Sequence, residues 1–147
     1  MESKEQESKL TKVVAAVIFS DDRGSVLLGK RARGKPFPNK WEFIGGKVEK
    51  EESLEDAIER ETFEETSLGI VPISPIGEAK FDTPDGLFDV TFFECEVKYR
   101  GLGDIVRDPK VHSKFDWVKI KDLTKLDWVG ANLEFAKWFV EYNKNKL

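Results

Sequence analysis

Residues 45 to 68 read GGKVEKEESLEDAIERETFEETSL, and they place acids on the face of a helix that has to be buried. At about 100° per residue, Leu54, Ala57, Ile58 and Leu68 fall in one arc, and Glu61 and Glu65 fall in the same arc. A carboxylate buried without compensation costs several kcal/mol or shifts its pKa until it takes up a proton. The helix therefore needs a positive partner on its packing face, and a bound cation is the direct candidate.

The rest of the chain supplies a sheet for that helix to lie on. KVVAAVIFS and SVLLGKR are apolar, β-branched-rich runs on either side of DDRG, a turn signal, so residues 12 to 31 read as a hairpin. ARGKPFPNK, with one Gly and two Pro, reads as an exposed basic loop before WEFIGGK. The helix starts at Ser53, whose hydroxyl caps the first turn with Asp56 three residues on, and ends near Thr66 to Gly69. PIGEAKFD and LFDVTFFECEVKY alternate around TPDG as a second hairpin, and FDWVKI is a shorter strand. Leu133, Ala136, Phe139 and Val140 recur at helical spacing in ANLEFAKWFVEYNKNK, whose basic end suits the helix dipole. Strands on both sides of one helix, with a second helix at the end, predict an α/β/α sandwich on a mixed β-sheet, in the α/β (α+β) class.

With 147 residues, 39% hydrophobic and 12% aromatic, the chain has the makings of one packed domain. The polar residues 1–9, MESKEQESK, read as a loose N-terminal tail before a domain spanning 10–147. They lack the apolar stretch of a signal peptide, and the longest apolar run, VVAAVIF at 13 to 19, is too short to span a bilayer. A soluble cytoplasmic protein with no membrane partner is expected. Cys95 is the single cysteine, which excludes an intrachain disulfide and a cysteine-based zinc site and suits a small core residue. A net charge of −4 argues against stable nucleic-acid binding. A small phosphorylated molecule held through a metal fits that charge.

Glu61, Glu64 and Glu65 stand at i, i+3 and i+4, adjacent on a helix surface. Magnesium is usually held by one or two carboxylates plus phosphate and water oxygens. A magnesium site would therefore compensate the acids and recruit a polyphosphate together. Lys47 and the GGK backbone lie just ahead of the helix, placed to meet the same phosphates, and Arg60 is placed to orient the carboxylates. Glu49, Glu51, Glu55 and Glu59 read as an ordinary solvated face.

The same stretch resembles the Nudix box, G-x5-E-x7-R-E-U-x-E-E-x-G-U with U aliphatic, through Gly46, Glu52, Arg60, Glu61, Glu64, Glu65 and Leu68. The six matching Gly, Glu and Arg positions would arise by chance in about one in ten thousand sequences of this composition. Two positions depart: Thr62 stands for an aliphatic residue, and Ser67 replaces the glycine and puts a left-handed helix end in question, with Gly69 as an alternative turn. VLLGKRARGK, WEFIGGKVE and FDWV extend the resemblance to MutT-type members of the Nudix hydrolase family.

That resemblance implies the Nudix fold and hydrolysis of a nucleoside diphosphate linked to another group, with Mg2+ as cofactor and Mn2+ as a substitute. It implies Glu64 and Glu65 as principal metal ligands with the Gly45 carbonyl, Glu61 as a ligand or the activator of water, and Arg60 and Glu52 as residues that orient these acids. Arg31 matches a phosphate-binding position. Several relatives carry a further loop Glu before the WV strand, whereas Val111 stands there in DPKVHSKFDWV. His112 next to it is a candidate acid or base or an incidental histidine, and Asp104 and Asp108 are nearby substitutes.

For the base, WVGANLEF resembles the start of the terminal helix in MutT-type enzymes, where an Asn reads a purine, so Asn132 is a candidate reader or an ordinary N-cap. Phe43 and Trp41 could stack on a base or pack in the core. Pro84 lies near a proline of ADP-ribose hydrolysing relatives, though TPDG already explains it as a turn. The expected partner is a nucleoside triphosphate, first a purine such as oxidised dGTP, acted on by a monomer or homodimer. The alternatives are an ADP-ribose or other nucleoside diphosphate-X pyrophosphatase, and a sensing module without catalysis, which would normally have lost box acids.

Overall fold

The computed structural model describes residues 10–98, 108–130 and 132–144. The N-terminal nine residues and Asp104 therefore lie outside the described residues. The elements follow in the order β1 (Thr11–Ile18), β2 (Ser25–Arg31), β3 (Trp41–Lys47), α1 (Leu54–Thr66), β4 (Ile70–Thr83), β5 (Gly86–Val97), β6 (His112–Lys119), a 3-10 turn (Ile120–Lys125) and α2 (Asn132–Lys144). Six strands form one sheet in the order β4-β5-β1-β3-β2-β6. Only the β1–β5 pair is parallel; the other neighbours are antiparallel. The sheet is therefore mixed, as its pattern of elements predicts.

The expected hairpin over residues 12 to 31 does not form as a strand pair. The chain does reverse at DDRG, where Gly24 N–H donates to Asp22 and Arg23 takes a left-handed conformation at φ 61°. Beyond the single bridge Phe19↔Val26, β1 and β2 separate and β3 inserts between them. The physical reason lies in β1 itself. Val14, Ala15, Ala16, Val17 and Ile18 are all buried, so the strand needs cover on both faces and partners on both edges. The second hairpin is present and longer than expected, with β4 paired to β5 from Ile70↔Val97 to Thr83↔Gly86, and Pro84 lies in its turn.

Successive side chains of a strand alternate between faces, which splits the core in two. Val14, Ala16, Ile18, Leu27, Ile44, Phe93 and Cys95 pack against Ala57 and Ile58 of α1. Ala15, Val17, Leu28, Phe43, Val90 and Phe92 pack against Phe135, Ala136, Phe139 and Val140 of α2. Cys95 is the core residue expected, its thiol pushed up to about 12 chiefly by burial. Among the described residues no helix is long and apolar enough to cross a membrane.

Helix α1 begins as its sequence predicts, with the Ser53 hydroxyl accepting from Asp56 N–H. Its end differs. Ser67 itself takes the left-handed conformation at φ 64° and donates its N–H to the Phe63 carbonyl, so Gly69 has no turn to take over. The other departure, Thr62, is fully buried, and its hydroxyl has no hydrogen-bond partner among the described residues. An unpaired buried hydroxyl costs about 1–3 kcal/mol, so Thr62→Val, which keeps the shape, should raise the unfolding free energy by about 1 kcal/mol. Chemical denaturation of the two proteins would show it, and equal midpoints would mean that the hydroxyl is satisfied.

Candidate active site

Arg60 organises the acids of α1. Its Nε donates to Glu52 at 2.7 Å and its Nη2 to the other Glu52 oxygen at 2.9 Å, a two-pronged pairing. Nη1 donates to Glu61 at 3.0 Å and to Glu64 at 3.2 Å, and Nη2 also reaches the Lys47 carbonyl. The guanidinium, together with the Glu49 N–H, holds the Glu52 carboxyl at about 2, well below the usual range. Glu61 is pushed up by burial, against which Arg60 pulls it down. The compensation predicted for the inner acids is thus supplied, for Glu61, by a residue of the helix itself.

Among the described residues, Glu65 has no guanidinium or ammonium beside it. It faces the sheet, where Gly45 N–H donates to Oε2 at 3.2 Å. Burial first, then the neighbouring charges of Glu42 and Glu61, push its carboxyl up to about 9. The two glycines of β3 face different neighbours, and only Gly46 makes room for an acid. A Cβ on Gly46 would lie 2.4 Å from the Glu61 carboxyl carbon, and one on Gly45 would lie 1.9 Å from the Val14 carbonyl oxygen. Side chains at both positions are therefore excluded, at Gly46 by an acid and at Gly45 by the β1 backbone.

Glu42, on β3, is a member of the site that the sequence reading missed. Its Oε1 accepts from Arg31 Nη1 at 3.0 Å, and its Oε2 lies 2.9 Å from His112 Nε2. His112 Nδ1 in turn lies 3.8 Å from Glu65 Oε1. His112 is 1% exposed, so it is no incidental surface histidine. Arg31 also donates through Nε to the Pro36 carbonyl. Asp108 is exposed and shapes the turn into β6, its Oδ1 accepting from Lys110 N–H and its carbonyl from His112 N–H. The carbonyl of Val111 accepts from Ala32 N–H.

The remaining candidates lie on the other side of the sheet. Phe43 is a core residue: its ring stacks on Trp128 at 5.1 Å and meets Phe92 and Phe135 edge-on, which corrects its reading as a stacking surface for a base. Trp41 is partly buried with Lys30 and Lys114 over its ring. Lys47 pairs with Val13, and its ammonium sits 5.9 Å from the Phe88 ring, away from the acids that face α1. Asn132 is the first residue of α2, and its amide donates to the Val129 carbonyl. An N-cap accepts through its side-chain oxygen, so the observed bond is not a cap.

The donor set consists of carboxylate and carbonyl oxygens, the chemistry a hard divalent cation prefers. Glu65 is the buried acid still in need of charge. Among the described residues, no three acidic, histidine or cysteine side chains are grouped as an ion would need them, because Arg60 draws Glu61 and Glu64 to itself. Glu64 has a 58% exposed side chain and reaches Arg60 at 3.2 Å from the outer side. The residue types fit the cation, with Arg60 bridging Glu52, Glu61 and Glu64 beside them.

The NUDIX domain family profile matches residues 9–139. An oxidized purine nucleoside triphosphate hydrolase of Danio rerio is 38% identical over 96 residues, 64% of this chain and 58% of that protein. A CTP pyrophosphohydrolase of Escherichia coli strain K12 is 47% identical over 62 residues, 42% of this chain and 43% of that protein. The chain thus spans about half the length of these two relatives. Among solved structures, the MutT protein from Methanosarcina mazei Go1 superposes with a TM-score of 0.78 at 25% identity, over 92% of this chain and 96% of that one. With the profile covering most of its length and the sheet superposing on a MutT protein, the chain belongs to the NUDIX domain family.

Proposed function

We propose that the protein is a magnesium-dependent pyrophosphohydrolase that cleaves a nucleoside triphosphate to the monophosphate and pyrophosphate, with an oxidised purine deoxynucleotide as its first substrate. The observation that carries this reading is the pair of box acids Glu61 and Glu65 held on the inner side of α1 against the Gly45–Gly46 segment. Glu64, Glu65 and the Gly45 carbonyl would hold the cation, with Glu61 a further ligand or the base that activates water. Bound there, the cation would neutralise charge developing on the phosphates and lower the pKa of the attacking water.

The chain's own groups divide the remaining work. Glu52 fixes two donors of Arg60, which leaves Arg60 Nη1 to set the spacing of Glu61 and Glu64. Arg31, pinned by Glu42 and Pro36, offers Nη2 to a phosphate. The relatives bear on the nucleotide from two sides, since one is named for oxidised purines and another for CTP. A panel of oxidised and unoxidised purine and pyrimidine triphosphates, and ADP-ribose, incubated with Mg2+ and resolved into products tests the reading. Monophosphate plus pyrophosphate from an oxidised purine is the expected result. Hydrolysis of none, or of ADP-ribose alone, would overturn it.

Asn132 separates purine from pyrimidine. A side-chain amide on a base edge contributes about 1–3 kcal/mol of discrimination, because the wrong base leaves polar groups unpaired. Asn132→Ala should therefore lower kcat/KM for the best purine about ten-fold or more relative to CTP. Asn132→Asp lacks the amide donor and should lose the preference as well. Purine preference retained in the Asp variant would remove Asn132 from base reading.

A further inference from the structure

His112 is held by more contacts than an incidental histidine needs. Strict alternation along β6 would put it on the same face as Lys114, whose ammonium lies over Trp41 on the α2 side. The register shifts between Lys30 and Arg31, so that Lys114 pairs with Lys30 and His112 with Arg31. That bulge adds one residue and turns His112 to the face of α1. There its ring lies over Gly29, where a Cβ would come within 2.6 Å of Cδ2 and 2.8 Å of Nε2, and against Phe115 at 4.9 Å between centroids. Nε2 meets Glu42 at 2.9 Å and Nδ1 faces Glu65 at 3.8 Å.

We propose that His112 is a positioning residue for Glu65, a fixed post between Glu42 and Glu65 that sets the plane of the Glu65 carboxylate. One Glu65 oxygen accepts from Gly45 N–H at 3.2 Å and the other faces the His112 ring at 3.8 Å, so the carboxylate lies between two fixed groups. The bulge, the missing side chain at Gly29, and the Glu42 contact each serve to hold that ring in place. Outer partners of metal ligands commonly change metal affinity or activity by 10–100-fold when replaced. The inference rests on Glu65 as a ligand of the cation.

Two substitutions approach the ring from different sides. His112→Gln places an amide where Nε2 stands, keeps a donor for Glu42, and removes the group that faces Glu65. Gly29→Ala changes no ionisable group and forces the ring aside. The readouts are Mn2+ affinity of the nucleotide-free protein by calorimetric titration, kcat and KM for the best nucleotide, and thermal unfolding to confirm the fold.

Each variant should bind Mn2+ about ten-fold or more weakly and lose kcat with KM little changed. In the double variant Gly29→Ala should add less than about two-fold, because the group it displaces is gone. Parental Mn2+ affinity and kcat in His112→Gln would overturn the proposal, as would fully multiplicative losses in the double variant. If Gly29→Ala does not fold, the His112→Gln result decides. A parent that hydrolyses no nucleotide while its Mn2+ affinity still responds to His112→Gln would sink the proposed function and leave the positioning role standing.

Discussion

Glu65→Gln should abolish most turnover and at the same time make the metal-free protein more stable. Replacing an outer partner of a ligand costs 10–100-fold, so loss of the ligand itself should cost about 100-fold or more in kcat with Mg2+. The stability effect has the opposite sign. The Glu65 carboxyl is pushed up to about 9 by burial and by the charges of Glu42 and Glu61, from an ordinary value of 4.5. An acid raised in the folded state holds a proton there that the unfolded chain releases, so folding is disfavoured progressively as pH rises from about 4.5 to 9.

At pH 7 that amounts to about 3 kcal/mol, or about 6–12 °C in Tm for a chain of this size. In chelator, Glu65→Gln should melt higher than the parent at pH 8 and lose the slope of Tm with pH. Glu51→Gln, in the exposed turn ahead of α1, and Glu55→Gln, exposed in its first turn, should leave both turnover and Tm near parental values. A Glu65 variant with parental activity, or one with the parent's pH slope, would break the link between burial and function.

The second large effect divides two adjacent glycines. Gly45→Ala places a methyl 1.9 Å from a backbone carbonyl oxygen of Val14 and 2.9 Å from the Ala15 Cα, and backbone in the sheet's middle has nowhere to go. Overpacking that side chains can absorb costs about 1–3 kcal/mol. Here the β1–β3 ladder itself has to part, so a loss above that range, seen as insoluble or unfolded protein, is expected. Gly46→Ala meets the Glu61 carboxyl instead, the far end of a flexible side chain. That variant should fold, with far-ultraviolet circular dichroism like the parent's, and lose at least ten-fold in kcat because Glu61 is driven off its place beside Arg60. Similar behaviour of the two variants would mean that the glycines serve one purpose.

The helix was legible in the sequence because its acids violate a period of 3.6, and Ser53, Ala57, Ile58, Glu61 and Glu65 stand where that period puts them. The same test with a period of 2 would have found Glu42. It shares a face of β3 with buried Ile44 and with Gly46, an acid on the core side of a central strand. His112 was beyond such a test, because a bulge turns it to the opposite face from the one alternation assigns. The β1–β2 hairpin misled for another reason. A turn reports only that the chain reverses, whereas the fully buried β1 required a partner that arrives later in the chain. Phe43 was undecidable by pattern, since a core aromatic and a stacking aromatic read alike until Phe92, Trp128 and Phe135 are seen around it.

The insertion of β3 has a bearing on how activity is lost. A chain with only β1 and β2 in place has a vacant slot, and Glu42, Gly45 and Gly46 enter it together with the strand that closes the sheet. Once there, β3 pairs with β2 through Trp41, Glu42 and Phe43 and with β1 from Ile44 to Lys47. Its release opens two ladders at once, an event on the scale of global unfolding rather than of a fraying end. Denaturation of the sheet and loss of activity should therefore coincide as a single transition, seen as superimposable curves by circular dichroism and by activity.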